Sequence, residues 1–286
     1  MLAAPPRRRS LTQAVAPLRG REQRLLVVGL GLLGLIVAFV LLGPVALGGD
    51  AKEQNLDIVL QAPSGAHPFG TDQFGRDVLL RTLVAGRLDL LIAFGLVGIA
   101  LVLGTTLGIV AGWLGGWVDG VIGRVIDVAL AFTFLVLVIS IVAVRGPGVS
   151  SLFVAVSFVG WVFYARLTRG EVLVARRLDY MRAAQASGYS RARIFARHLL
   201  PNVVIQPLVY ASSDLVYALL LGASVSFLGL GVQAPTPEWG QMVFEGKTFI
   251  TSQWWMAVFP GLAIVVTGVA FSLIGDGIAD AARGDR

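Results

Sequence analysis

The sequence predicts an all-α membrane protein with six transmembrane helices. Hydrophobic residues make up 56% of its 286 positions and charged residues only 14%, which is about half the charged share of an ordinary soluble domain. An α-helix needs roughly 20 apolar residues to cross the hydrocarbon core of a bilayer. Six apolar runs come close to that length, and they cover residues 25–47, 90–114, 125–144, 149–165, 203–228 and 254–274.

The basic residues predict the orientation of these spans. Six spans place both termini on one side of the membrane. The segments on that side hold 17 Lys and Arg residues, whereas the segments on the opposite side hold six. Because cytoplasmic segments are enriched in Lys and Arg, we expect both termini inside the cell. We therefore attribute the net charge of +6 to the basic residues that set the orientation in the membrane. We expect no nucleic-acid partner.

The first apolar run resembles a signal peptide because it follows three arginines, Arg7 to Arg9. It lacks a small-residue cleavage site and is long enough to span, so we interpret it as an anchor that remains in the protein. The chain then divides into a cytoplasmic tail (1–24), a first transmembrane helix (25–47), an extracytoplasmic loop (48–87), a five-helix core (88–278) with a cytoplasmic loop at 166–201, and a cytoplasmic tail (279–286).

The sequence offers few groups for catalysis. It has no cysteine, which excludes thiolate sites, and its only imidazoles are His67 and His198. The stretch GQMVFEGKT at 240–248 resembles a phosphate-binding loop, but five residues instead of four separate its first Gly from Gly-Lys-Thr. It also lies on the predicted outer side, away from cytoplasmic ATP. We therefore expect no enzymatic activity and no cofactor in this chain.

The outer loop carries turn and helix-cap residues, namely Gly70, Thr71, Asp72, Gly75 and Asp77. They predict a short helix at the outer membrane surface, either as an anchor or as a contact surface for another protein.

Two glycine patterns mark the core spans. Gly104, Gly108 and Gly112 recur every four residues in the second span, a stripe that lets another helix approach closely. Gly229 and Gly231 are suited to ending the fifth span, and Trp239 is expected at the membrane interface.

The most basic cytoplasmic segment reads YMRAAQASGYSRARIFARHLLPN at 180–202. We expect Asp179 to cap a short helix, Gly188 to end it in a left-handed conformation, and Ser190 to start a second helix. The charge alone is compatible with an anchor to anionic lipid. Small alanines beside exposed Tyr180 and Met181 favour instead a helix that docks into a groove of another protein.

This segment resembles the cytoplasmic loop of permease subunits of binding-protein-dependent ABC importers. That pattern reads E-A-A, three residues, Gly, nine residues, Ile, one residue, Leu-Pro. The corresponding residues here are Arg182, Ala183, Ala184, Gly188, His198, Leu200 and Pro201. In having Arg at the Glu position and His at the Ile position, the segment resembles the peptide and nickel branch of this family. Stretches 67–87, 226–242 and 260–285 also resemble this branch, above all the C-type subunit of dipeptide and oligopeptide importers. Gly222 departs from the branch, which usually has a Glu there.

The resemblance implies a type I ABC importer-like transmembrane domain in the bacterial inner membrane. It implies a second homologous permease, two ATPase subunits and an extracytoplasmic substrate-binding protein as partners. The ATPase-coupling residues would be Tyr180, Met181, Arg182, Ala183, Ala184 and Gly188. The substrate would be a short peptide, with nickel or another small solute as alternatives inside the family. A secondary transporter and a membrane-embedded hydrolase are the alternatives outside it.

One ionisable residue lies deep in a predicted span. Asp214 is about twelve residues into the fifth span, where an unpaired carboxylate is costly. We hypothesise that it faces the translocation cavity together with Tyr217 and attracts the amino end of a peptide; the alternative is a structural Asp held by nearby hydroxyls. Asp89, Asp127 and Asp276 lie near span ends, where we expect water to solvate them.

Overall fold

The computed structural model of the chain describes residues 11–284, all of whose regular elements are helical. Parts of the predicted terminal tails, residues 1–10 and 285–286, lie outside the described residues. The helices are α1 (Leu11–Leu47), α2 (Val78–Leu114), α3 (Gly116–Leu130), α4 (Phe134–Arg145), α5 (Val149–Val159), α6 (Trp161–Ala175), α7 (Asp179–Ala186), α8 (Arg191–Ile194), α9 (Leu200–Val203), α10 (Ile205–Phe227), α11 (Trp239–Gly246) and α12 (Trp255–Gly284).

Five helical stretches among the described residues are long and apolar enough to cross a membrane. They are Arg24–Leu47, Val78–Leu114, Val149–Ala175, Arg191–Phe227 and Trp255–Asp280. A sixth span exists only if α3 and α4 are taken together, and these two helices meet at an angle of 87°.

The expectation of one continuous third span at 125–144 is therefore wrong. The helix breaks between Leu130 and Phe134. α3 packs against α2 and α6, whereas α4 packs against α5, so the two halves follow different neighbours. Both halves are apolar, and hydropathy alone does not reveal such a break.

Several helices extend beyond their predicted apolar runs, among them α2 and the helix that ends at Phe227. α2 begins at Val78, twelve residues before the predicted run, because Asp77 caps it: the Asp77 Oδ1 atom accepts a hydrogen bond from the amide of Leu80 at 2.8 Å. The segment from Arg191 to Phe227 is nearly continuous and includes a π-helical turn at Phe195–Leu199. The helix predicted to start at Ser190 and the predicted fifth span thus merge into one long element.

The predicted glycine stripe is confirmed as a close contact between α2 and α6. A Cβ atom on Gly104 would lie 2.3 Å from the carbonyl oxygen of Trp161, and one on Gly108 would lie 2.6 Å from that of Ala165. A Cβ atom on Gly112 would meet the Val172 side chain at 2.7 Å. α2 also packs against α1 and α10, and α12 packs against α1 and α10, so α2 lies in the middle of the helical body.

Candidate functional site

A cavity of about 380 Å³ opens between α2, α4, α5, α6 and α10. Most of its wall is apolar or aromatic. The lining residues are Leu96, Val97, Ala100, Phe134, Val156, Gly160, Phe163, Tyr164, Tyr210, Asp214, Tyr217, Ala218 and Leu221. The volume lies within the range of small-molecule sites, which are mostly apolar with a few placed polar groups.

Asp214 supplies the carboxylate of this cavity, and Tyr217 stands beside it in the wall. The hypothesis that Asp214 and Tyr217 face the translocation pathway stays a prediction. The Tyr164 hydroxyl donates a hydrogen bond to Asp214 Oδ2 at 2.8 Å. Tyr164 is buried and comes from α6, so the bond joins two membrane helices.

Three tyrosines surround the carboxylate. Tyr210 and Tyr217 precede and follow Asp214 by four and three residues on α10, so helical spacing places all three on one face. The ring of Tyr164 meets that of Tyr210 edge-on, with centroids 5.1 Å apart. The spacing of Tyr210 was visible in the sequence, but the contribution of Tyr164 from another helix was not.

Helix α7 ends as the sequence predicts. Gly188 has a φ of +76°, a left-handed conformation that side chains disfavour. The Ser190 hydroxyl accepts a hydrogen bond from the Arg193 amide at 3.3 Å and so caps α8. The expected cap by Asp179 is wrong, because Leu178 occupies the cap position and Asp179 is the first residue of the helix.

The two faces of α7 differ from the sequence expectation at one residue. Met181 was expected to be exposed, but its exposed fraction is 0%. Together with Ala184 it points into the body of the protein, whereas Tyr180, Arg182 and Ala183 are exposed. Met181 is buried because the apolar side of α7 packs against residues of α2 and α6.

Met181 and Ala184 belong to a separate apolar cluster beneath the membrane body. Its buried members come from α2, α6, α7 and the Arg191–Val203 region, namely Ile109, Val172, Ala175, Met181, Ala184, Ile194, Leu199 and Val203. Well-packed apolar side chains transmit displacement because protein interiors are nearly incompressible. The cluster thus connects α7 to α2, α6 and the long helix that carries Asp214.

Two polar contacts also hold the C-terminal part of α6. Arg169 of α6 forms an ion pair with Asp119 near the start of α3, and its Nη2 atom lies 2.7 Å from Asp119 Oδ2. The Arg176 Nη1 atom donates to the carbonyl of Gly112 at 2.8 Å. Both contacts hold the α2–α3 turn against α6.

The outer loop is built around a buried set of four charges. Arg76 Nε lies 2.6 Å from Asp72 Oδ2, and Arg76 Nη2 lies 3.1 Å from Glu245 Oε2. Arg81 Nη2 lies 3.2 Å from the same Glu245 oxygen. The positive charges of the two guanidinium groups cancel the negative charges of the two carboxylates, because an unpaired buried charge is costly. This cluster joins the outer loop and the start of α2 to α11. No local pattern in the sequence predicts that Glu245 pairs with these arginines.

Asp89 and Trp239 differ from the sequence expectations. Asp89 is not solvated at a span end but 3% exposed, and its Oδ2 atom accepts a hydrogen bond from the backbone amide of Trp239 at 3.1 Å. Trp239 is buried as well, and its indole Nε1 donates to the Thr82 carbonyl at 2.8 Å. Both residues pack inward because α11 lies against α2. Asp127 and Asp276 are exposed, as expected.

The phosphate-loop-like stretch is helical. Its first glycine, Gly240, lies in α11 against α10, where a Cβ atom would be 2.3 Å from the Ala223 carbonyl oxygen. A Cβ atom on Gly246 would lie 2.7 Å from the amide nitrogen of Ala257. These glycines serve helix packing, and Lys247 places its ammonium 4.0 Å from the centre of the Phe244 ring.

Comparison with known proteins gives consistent matches. Residues 104–283 match the family described as binding-protein-dependent transport system inner membrane component. The dipeptide transport system permease protein DppC of Alkalihalophilus pseudofirmus is 38% identical over 91% of this chain and 86% of its own. DppC of Escherichia coli is 43% identical over 81% and 79%. The glutathione transport system permease protein GsiD of Pectobacterium atrosepticum is 37% identical over 86% and 82%.

Proposed function

The chain belongs to the family of binding-protein-dependent transport system inner membrane components, and on that premise we propose that it is one permease subunit of an ATP-driven importer of short peptides. The substrate class is supported by relatives named for dipeptide and glutathione transport. Its partners in this proposal are a second homologous permease, two ATPase subunits and an extracytoplasmic binding protein.

The observation that carries this proposal is the two-sided geometry of α7. One face is fixed to the helical body by Met181 and Ala184, and the other presents Tyr180, Arg182 and Ala183 to the surroundings. A short helix anchored in this way is suited to seat in a groove of an ATPase subunit. Gly188 ends this coupling helix and turns the chain back toward the membrane.

The proposed transport cycle uses α7 as a rigid lever. When the ATPase subunits close on ATP, they displace α7, and the apolar cluster transmits the movement to α2, α6 and α10. Rigid-body motion of packed helices then exchanges inward-open for outward-open access. ATP can drive this exchange only by binding one state better than the other.

In the same proposal the chain has six spans with both termini in the cytoplasm. The bent pair α3 and α4 is then the third span. The distribution of Lys and Arg supports this orientation, and it puts α7 on the ATPase side and the four-charge outer cluster on the side of the binding protein. The cavity with Asp214 and Tyr217 then lies between the two sides and forms part of the substrate pathway.

Substitution of Tyr180 tests the coupling role. In the assembled importer in proteoliposomes, we expect Tyr180→Asp to reduce peptide uptake per ATP hydrolysed about tenfold, because a charge is forced into the ATPase groove. The exposed position of Tyr180, with 40% of its surface accessible, should leave insertion and yield unchanged. Tyr180→Phe is the matched control and should couple normally. Wild-type uptake per ATP in Tyr180→Asp would contradict the proposed role of α7.

A further inference from the structure

The cavity between α2, α6 and α10 has the chemistry of a site for an organic ammonium group. Asp214 is the one acidic residue in its wall, and no Lys, Arg or His belongs to the lining. The carboxylate receives a single hydrogen bond, from Tyr164 to Oδ2, and in the part of the chain that the structure describes Oδ1 has no hydrogen-bond donor. A carboxylate so placed gains from a positive charge that brings its own N–H donors.

The aromatic wall favours the same ligand. The tyrosines at 164, 210 and 217 and the phenylalanines at 134 and 163 all line the cavity. Ring faces attract cations that lie within about 6 Å of them, and groups of such rings bind substituted ammonium ions. A hydrated divalent metal ion fits less well, because it requires several oxygen, nitrogen or sulfur ligands. No group of three metal-ligating side chains occurs among the described residues.

We propose that this cavity binds the α-ammonium group of a short peptide, with Asp214 as counter-ion and Tyr164, Tyr210 and Tyr217 as its walls. This inference rests on the proposed function and adds to it the orientation of the bound peptide. Because the lining contains no cationic side chain, the peptide carboxylate lies outside the cavity. The amino end is thus held by this subunit while the carboxyl end extends away from it.

The absence of cysteine from the whole sequence allows a direct test by thiol labelling. Ala218 lines the cavity one helical turn beyond Asp214, so Ala218→Cys places a single thiol beside the carboxylate. The assembled importer in proteoliposomes is treated with a cationic reagent, trimethylammonioethyl methanethiosulfonate, or with an anionic one, sulfonatoethyl methanethiosulfonate. Mass spectrometry of this chain measures the two rates of modification.

We expect the cationic reagent to react faster, and Asp214→Asn to lower the ratio of the two rates about tenfold, because the local negative charge is lost. Ala66→Cys is the control, since Ala66 is exposed in the outer loop far along the chain from Asp214; its ratio should not change in the Asp214→Asn background. A ratio at Ala218→Cys that is unaffected by Asp214→Asn would overturn the proposal, as would failure of both reagents to reach this thiol.

Peptide protection tests the ammonium itself. Dialanine should slow modification of Ala218→Cys about fivefold or more, whereas N-acetyl-dialanine, which lacks the ammonium, should not. Equal protection by both peptides, or by neither, contradicts the assignment. Uptake of dialanine by the same importer is measured in parallel: uptake without protection rejects the cavity site and leaves the proposed function standing, whereas an importer that takes up no short peptide rejects the function.

Discussion

At the scale of single residues, burial of charge is the main feature of the outer side. Asp72, Arg76, Arg81 and Glu245 are nearly excluded from solvent, and their charges cancel within the cluster. Replacing such a cluster with apolar groups can be neutral, but removing one member leaves a buried charge without its partner. The cluster therefore makes the outer loop and α11 one unit whose stability depends on each of its four members.

Substitution of Glu245 measures this dependence. We expect Glu245→Gln to lower the free energy of unfolding by about 3 kcal/mol, because both guanidinium groups then share only Asp72. Thermal unfolding of the purified chain in detergent would show this as a lower midpoint. Glu53→Gln serves as the control: Glu53 is exposed, and its loss should change stability by less than about 0.5 kcal/mol. Equal midpoints for the two variants would show that the cluster does not stabilise the fold.

At the scale of helices, the contact between α2 and α6 determines how the cytoplasmic end is held. Gly104, Gly108 and Gly112 bring the two backbones together, and α6 leads directly into the turn before α7. The same pair of helices borders the cavity and the apolar cluster around Met181. In the proposed transport cycle, movement of α7 would therefore reach the cavity through the contact between α2 and α6 rather than through a loop.

Alanine substitutions at two glycines of α2 distinguish the effect of helix packing on stability from the effect of intrinsic helix propensity. Gly108→Ala places a methyl group 2.6 Å from the Ala165 carbonyl oxygen, whereas a Cβ atom on Gly98 would meet nothing within 4 Å. We expect Gly108→Ala to destabilise the chain by about 1–3 kcal/mol through overpacking. Gly98→Ala should be neutral or stabilising by up to about 1 kcal/mol. Thermal unfolding in detergent compares the two, and a Gly108→Ala variant as stable as Gly98→Ala would show that α2 and α6 can separate at little cost.

At the scale of the whole molecule, the chain has an outer end fixed by charges, an inner end fixed by apolar packing, and a cavity between them. The outer cluster and the Met181 cluster draw on helices that are distant in sequence. Since α2 contributes to both ends and to the cavity wall, it connects them mechanically. In the proposed orientation, the outer end faces the binding protein and the inner end faces the ATPases.

The orientation itself can be measured on the intact chain. We expect Ala66→Cys, in the outer loop, to react with a membrane-impermeant maleimide added to intact cells. Ala186→Cys, at the exposed end of α7, should react only after the membrane is made permeable. The reverse pattern would place α7 outside the cell and would contradict both the N-in, C-in topology and the coupling role.

The sequence by itself determined the properties that depend on neighbours along the chain. Apolar composition identified the five helical stretches that are long enough to cross a membrane. The four-residue spacing identified the Gly104 to Gly112 stripe, and local turn chemistry identified the left-handed Gly188 and the cap at Ser190. It also placed Asp214 and Tyr217 on one face of a helix, because residues three apart lie on the same face.

Only the tertiary structure decided which faces are covered and which charges meet. Burial of Met181 depends on side chains from α2, α6 and the region that follows α7, and burial of Asp89 depends on α11 lying against α2. Glu245 is 164 residues from Arg81, and Tyr164 is 50 residues from Asp214. The break between α3 and α4 likewise follows from their different neighbours. Such pairings are set by packing of distant segments, and no local pattern of residue types encodes them.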